Sequence, residues 1–175
     1  MNEPLFECTY TDSEELLYES YRYVRCRQQV RLGLFCLVAA ICVFALSIWL
    51  KYDWNIMCAL LLTLGVYMLL YPKILAHRMM KTILRANGGS VPSARLTVTD
   101  RITHHYKLDT TGFFFSDVVE VYFLRQSIVI VGKDGYLTFD ADSFTKGSAQ
   151  ELEAFLQEKC PEAVFFHKRP KETSK

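Results

Sequence analysis

Histidines, aspartates, cysteines and a few clustered cations are the residues of this chain whose types could do chemistry. His104 and His105 are adjacent in a stretch of alternating apolar and polar residues. Neighbours on a strand point to opposite faces, so the pair cannot chelate one metal, and two surface side chains is the simpler reading. Asp140 and Asp142 share a face and lie near Asp134 in sequence. They suggest either a cation site or an acidic sheet edge that resists aggregation, and the edge is preferred. Arg95, Arg101 and Lys107 surround the first strand turn, with Asp100 interleaved among them. The six cysteines are Cys8, Cys26, Cys36, Cys42, Cys58 and Cys160. They form no Cys-x-x-Cys pair and have no histidine at ligand spacing, which supports neither a zinc site nor a disulfide framework. No Ser/His/Asp set, glycine-rich phosphate loop or paired-carboxylate arrangement occurs at meaningful spacing. The expectation is a protein that is not an enzyme and needs no cofactor.

The elements that must position these residues are dominated by two apolar runs. Leu32–Leu50 has nineteen residues without a charge, and Ile56–Tyr71 follows after five residues. At ~1.5 Å per residue the first run reaches about 28 Å, close to the ~30 Å hydrocarbon core of a bilayer. It holds eleven Leu, Ile, Val or Phe residues, which favour insertion by about 3 to 6 kcal/mol. The pattern predicts a transmembrane helical hairpin over residues 32–76, with spans 32–50 and 56–72 and the second ending at Pro72. Trp49, Tyr52 and Trp54 mark the boundary at the connection. Arg22, Arg25, Arg27 and Arg31 precede the first span, and Lys73, Arg78, Lys81 and Arg85 follow the second, with no acid among either set. The connection has one base, Lys51. Eight basic residues against one predict a multi-pass protein of the cell membrane with both termini cytoplasmic. These eight are also the candidate contacts for lipid headgroups. Neither span contains an ionisable side chain other than cysteine and tyrosine, which argues for an anchor over an ion pathway. Cys36 and Ala40 form a small-residue pair suited to packing within the hairpin.

Charge is segregated along the chain. Residues 1–21 hold six acids and no base, whereas residues 86–175 hold 11 bases and 12 acids. A balanced soluble part gives no case for nucleic-acid binding. Partners are therefore expected to be the lipid bilayer and a protein in the membrane or cytoplasm.

Outside the hairpin, Leu5–Tyr10 alternates with Phe6, Cys8 and Tyr10 on one face, which reads as a short strand. Thr11-Asp12-Ser13-Glu14 predicts a capping box from Thr11 and a helix running into the first span. Residues 1–31 are thus an N-terminal strand and juxtamembrane helix, and 77–93 a juxtamembrane helix and linker stopped by Asn87-Gly88-Gly89. From residue 94 to 161 the period is two. Strands are predicted at Arg95–Thr99, Ile102–Leu108, Gly112–Phe115, Val118–Leu124, Ser127–Val131 and Tyr136–Asp140, with a turn at 109–112 and a hairpin at Gly132-Lys133-Asp134-Gly135. A second capping box, Ser148-Ala149-Gln150-Glu151, opens a helix burying Leu152, Phe155 and Leu156 until Pro161. Residues 162–175 read as a basic tail. The fold class is α+β: a two-helix hairpin plus a small antiparallel β-barrel or roll closed by a C-terminal helix. If residues 5–10 form a strand, they have no partner except the sheet after residue 94, and the hairpin is an insertion within one domain.

The stretch FSDVVEVYFLRQSIVIVGKDGYLTFDADSF followed by QELEAFLQE, after a membrane hairpin, resembles the YcxB-like family, whose C-terminal domain is similar to a bacterial pleckstrin-homology (PH-like) domain. The likeness covers residues 4–160. Phe115 stands where that family often has tryptophan, and Asp140–Ser143 replaces a Pro-Lys usually found before the phenylalanine, here Phe144. The resemblance implies architecture without chemistry: a cytoplasmic PH-like module that binds protein or lipid, displayed on an anchor. The alternative is a small accessory subunit of a membrane transport assembly.

Overall fold

The computed structural model describes residues 3–51, 55–107 and 109–168. It is α+β, with elements in the order β1 (Phe6–Thr11), α1 (Glu14–Ser20), α2 (Arg27–Leu50), α3 (Asn55–Ala86), β2 (Ser93–Val98), β3 (Ile102–Tyr106), β4 (Asp109–Phe113), β5 (Val118–Phe123), β6 (Ser127–Gly132), β7 (Gly135–Asp140), β8 (Phe144–Lys146), α4 (Ala149–Lys159) and β9 (Val164–His167). The chain divides into two units. Met1–Glu19 joins Met80–Lys175 in one, and Ser20–Met79 makes the other.

In the first unit β1 pairs antiparallel with β2 from Phe6↔Val98 to Thr11↔Ser93, and with β8 on its other side. The N-terminal strand therefore belongs to the sheet formed some 80 residues later, and the two long helices are inserted between its pairing partners. The five-stranded sheet runs β4-β3-β2-β1-β8 and the four-stranded sheet β7-β6-β5-β9. No ladder joins them among the described residues, so the strands make two separate sheets and not a closed barrel. Their inner faces share one core, in which Phe6, Leu96, Val98, Ile102, Val121, Ile130 and Phe139 meet Leu152 and Leu156 of α4. Phe155 packs its ring at 5.4 Å from Phe6 and 5.6 Å from Phe115. Burying a Leu or Phe contributes about 1.5–3 kcal/mol, so α4 is a principal fastener of this unit.

Several boundaries differ from expectation. Thr11 ends β1, and the cap of α1 is Ser13, whose Oγ accepts from the Leu16 N–H at 3.1 Å. A π-helical turn, Tyr21–Arg25, and the non-helical Cys26 interrupt the path from α1 to α2. The predicted turn at 109–112 is strand β4. The reversal falls earlier, where Lys107 is left-handed at φ 56°. Leu108, the expected end of β3, lies outside the described residues. Two short strands were not foreseen. β8 has three residues and exists only through its ladder to β1. β9 sits within the expected basic tail and pairs parallel with β5, Glu120↔Val164 to Phe123↔His167. The rest of that tail, 169–175, lies outside the described residues, as do Tyr52 and Trp54.

In the second unit α2 buries Gly33, Cys36, Ala40 and Ser47 on one face. The helices approach closely at two glycines: a Cβ at Gly65 would lie 2.8 Å from Leu37 and 3.0 Å from the Gly33 carbonyl. Such small residues let helix backbones meet. Cys58 adds a long contact, 3.9 Å from Sγ to the Ala40 carbonyl. Pro72 does not end the second helix, since α3 continues unbroken to Ala86. Proline removes one i→i−4 bond, here to Met68, and its ring is buried in the turn. The helix stops where expected, at Asn87-Gly88-Gly89, where Gly88 and Gly89 take φ of 65° and 91° and the Gly89 N–H caps the Leu84 carbonyl. Both helices are long and apolar enough to cross a membrane.

Candidate functional site

Alternation along β1, β2 and β3 sorts the polar side chains of the five-stranded sheet onto its outer face. Register places Thr9 beside Arg95, Arg95 beside His105 and His105 beside Thr110, so one row crosses four strands. Together with Glu7, Ser93, Ala94 and Lys107, the first three of these side chains line an open cleft of about 540 Å³. Glu7 and Arg95 form an ion pair at 2.9 Å, and His105 Nδ1 lies 3.1 Å from Thr110 Oγ1. The cleft offers hydroxyls, an imidazole and two cations, one of them already neutralised by Glu7. Of the three cations expected together, the fold unites only Arg95 and Lys107. Arg101 precedes β3 and Lys107 follows it, which puts about 20 Å of extended strand between them. His105 takes its place, a partner that only strand register could supply.

The inner face holds a second polar group. Tyr10 Oη lies 2.6 Å from the Thr138 carbonyl of β7 and 2.8 Å from His104 Nε2 of β3. A carbonyl can only accept, and the phenol has one proton, so Tyr10 donates to Thr138 and His104 Nε2–H donates to Tyr10. This bridge links the two sheets and fixes the tautomer of His104. His104 is therefore half-buried, a correction to the expected surface pair, whereas the opposite-face placement of the two histidines is as expected. Burial, and secondarily His105, lowers the His104 pKa below its ordinary value. Burial also raises Tyr10, with Asp12, Cys8 and Tyr106 adding to the effect. Asp12 is raised by its own burial. Tyr106 stacks on His104 with ring centres 6.3 Å apart.

The remaining candidates do not converge. Asp134 and Asp140 stand at opposite ends of β7, about 20 Å apart along the strand, and the Asp140 carboxylate accepts from the Asp142 N–H in a local turn. Among the described residues no three His, Cys, Asp or Glu side chains are placed to hold a metal ion. The Cys8 thiol, 2.7 Å from Ser143 Oγ, is pushed up to about 11 by burial, partly offset by Ser143, with Asp140 adding to the rise. Such a thiol is a packing group and a poor nucleophile. Arg22 and Arg25 lie in the π-helical turn over the rings of Tyr23 and Tyr21. Arg27 and Arg31 lie in α2, and Lys73, Arg78, Lys81 and Arg85 all lie in α3. Cys36 and Ala40 are buried on the face α2 turns to α3.

No protein-family model, no curated protein and no solved structure matches this chain.

The Tyr10–His104 bridge was outside sequence reasoning because its three members come from β1, β3 and β7. The available signal was weak: a tyrosine on the apolar face of one strand and a histidine on the apolar phase of another.

Proposed function

We propose that this protein is an integral membrane anchor, its α2–α3 hairpin crossing the bilayer and its two-sheet unit displayed on the cytoplasmic side as a PH-like module that binds protein or lipid. One observation carries the reading: the apolar side chains of the hairpin are left uncovered. Phe35, Ile41, Ile48, Ile56 and Leu60 are each more than 60% exposed, and only 22% and 17% of the most apolar windows of the two helices are buried. A soluble core helix hides such residues, whereas a bilayer covers them. The basic flanks at one end of the hairpin support cytoplasmic termini. The order of two strand meanders followed by a helix supports the PH-like comparison. The polar cleft of Thr9, Arg95, His105 and Lys107 is the surface this unit offers to a partner. Alkaline carbonate extraction and protease accessibility of a C-terminal tag test the proposal. Retention in the membrane pellet and cleavage only after the cytoplasmic side is opened are expected. Release by carbonate, or a tag exposed outside the cell, overturns it.

A further inference from the structure

The hairpin contacts define how α2 and α3 are aligned, and that alignment gathers cations scattered in sequence. Gly33 meets Gly65, Met68 and Leu69, Leu37 meets Gly65, and Cys58 meets Ala40. Continued toward the start of α2, this antiparallel register sets Arg31 level with the turn around Leu69 and Arg27 level with the turn around Lys73. The Cα of Arg31 then lies about 6 Å nearer the hairpin tip than that of Lys73. Side chains on a helix lean toward its N-terminus. In antiparallel helices they lean in opposite directions: Arg31 leans away from the tip and Lys73 toward it. The two leans close the axial gap, so both charged heads reach the same depth.

Their bearings differ. Arg31 is two residues before Gly33, about 200° around α2 from the face packed on α3, and Arg27 shares its stripe at i, i+4. Lys73 directly follows the buried Pro72, about 100° around α3 from the packed face. Arg31 and Lys73 are exposed. The sole acid in the sequence of residues 20–79 is Asp53, which lies outside the described residues. Arg31 and Lys73 thus form an outward-facing collar at one depth.

We infer that this collar of Arg31 and Lys73 binds the phosphates of anionic phospholipids, giving the hairpin an annulus enriched in acidic lipid on its basic side. The inference rests on the membrane-anchor reading. Long cationic side chains with apolar stems place their heads in the phosphate layer while the stems stay in hydrocarbon, and each cation near an anionic surface changes the preference about fivefold.

The test uses the full-length protein in mixed micelles with equal phosphatidylglycerol and phosphatidylcholine, and native mass spectrometry of the retained lipids. Phosphatidylglycerol is expected to be enriched. The double variant Arg31→Gln, Lys73→Gln is expected to lower that enrichment at least about fivefold. Lys51→Gln, at the other end of the hairpin, should leave it unchanged. Equal retention of both lipids, or undiminished enrichment in the double variant, overturns the inference. So does loss of enrichment on adding inorganic phosphate at constant ionic strength, since that assigns the collar to free anions. Carbonate extraction of the same variants separates the two levels: release from the membrane sinks the anchor reading, whereas retention without lipid preference sinks only the collar.

Discussion

Replacing Tyr10 by phenylalanine is the sharpest perturbation of the first unit, because one oxygen serves both sheets. The ring and its packing survive, and only the hydroxyl is lost. Two hydrogen bonds go with it, at 2.6 Å to the Thr138 carbonyl and 2.8 Å from His104 Nε2. A net hydrogen bond contributes about 0.5–1.5 kcal/mol, and a buried group left without a partner costs about 1–3 kcal/mol. His104 is half-buried and can regain water, which places the expected loss near 2 kcal/mol, toward the lower end of that combined range. Hydrogen exchange of the full-length protein in detergent reads this locally. Amides of β1, β3 and β7 should lose protection by about 30-fold, given tenfold per 1.4 kcal/mol, while those of α2 and α3 remain unchanged. A double-mutant cycle with His104→Ala isolates the shared term, expected at about 1 kcal/mol. Additive effects of the two substitutions would show that Tyr10 and His104 act independently and would refute the bridge.

The same histidine predicts a pH response. Its folded pKa lies below the unfolded value, so the unfolded chain takes up the proton more readily. The stability it contributes is fully present above about pH 6.5 and falls as pH drops through the window below. Protection of β3 should decline between neutral and mildly acidic pH, and His104→Gln should flatten that slope. Glu19 ties the end of α1 to the β5–β6 turn, its carboxylate accepting from the Gln126 and Ser127 N–H groups at 3.1 Å and the Ser127 hydroxyl at 2.8 Å. Glu19→Ala should cost about 2–3 kcal/mol, read as lost exchange protection in that turn. Cys8 is buried with its pKa pushed to about 11, so maleimide at pH 7 should modify it only after denaturation; labelling in the folded state at the rate of a free thiol would contradict this. Gly65→Val should force α2 and α3 apart, since even a Cβ comes within 2.8 Å of Leu37 and 3.0 Å of the Gly33 carbonyl. The expected result is a melting temperature in detergent lowered by several degrees, and an unchanged value would rule out the close crossing.

What the amino-acid sequence determined by itself was local or periodic. Nineteen uncharged residues dictate a helix long enough for a bilayer, alternation at Phe6, Cys8 and Tyr10 dictates which strand face is buried, and Ser148 with Glu151 dictates where α4 begins. Even the membership of β1 in the later sheet could be inferred, because an isolated strand cannot satisfy its backbone. The tertiary structure decided what depends on partners far apart in the chain. β8 and β9 are too short to announce themselves and exist through their ladders to β1 and β5. An interior proline usually kinks or breaks a helix, yet α3 runs through Pro72, because one missing hydrogen bond is a smaller loss than abandoning the packing around it. Register alone replaced Arg101 by His105 in the polar cleft. The pairing of Tyr10 with His104 and Thr138 needed two sheets to face each other, and the depth shared by Arg31 and Lys73 needed two helices to align. Periodicity reports which way a side chain points, but only the fold reports what it points at.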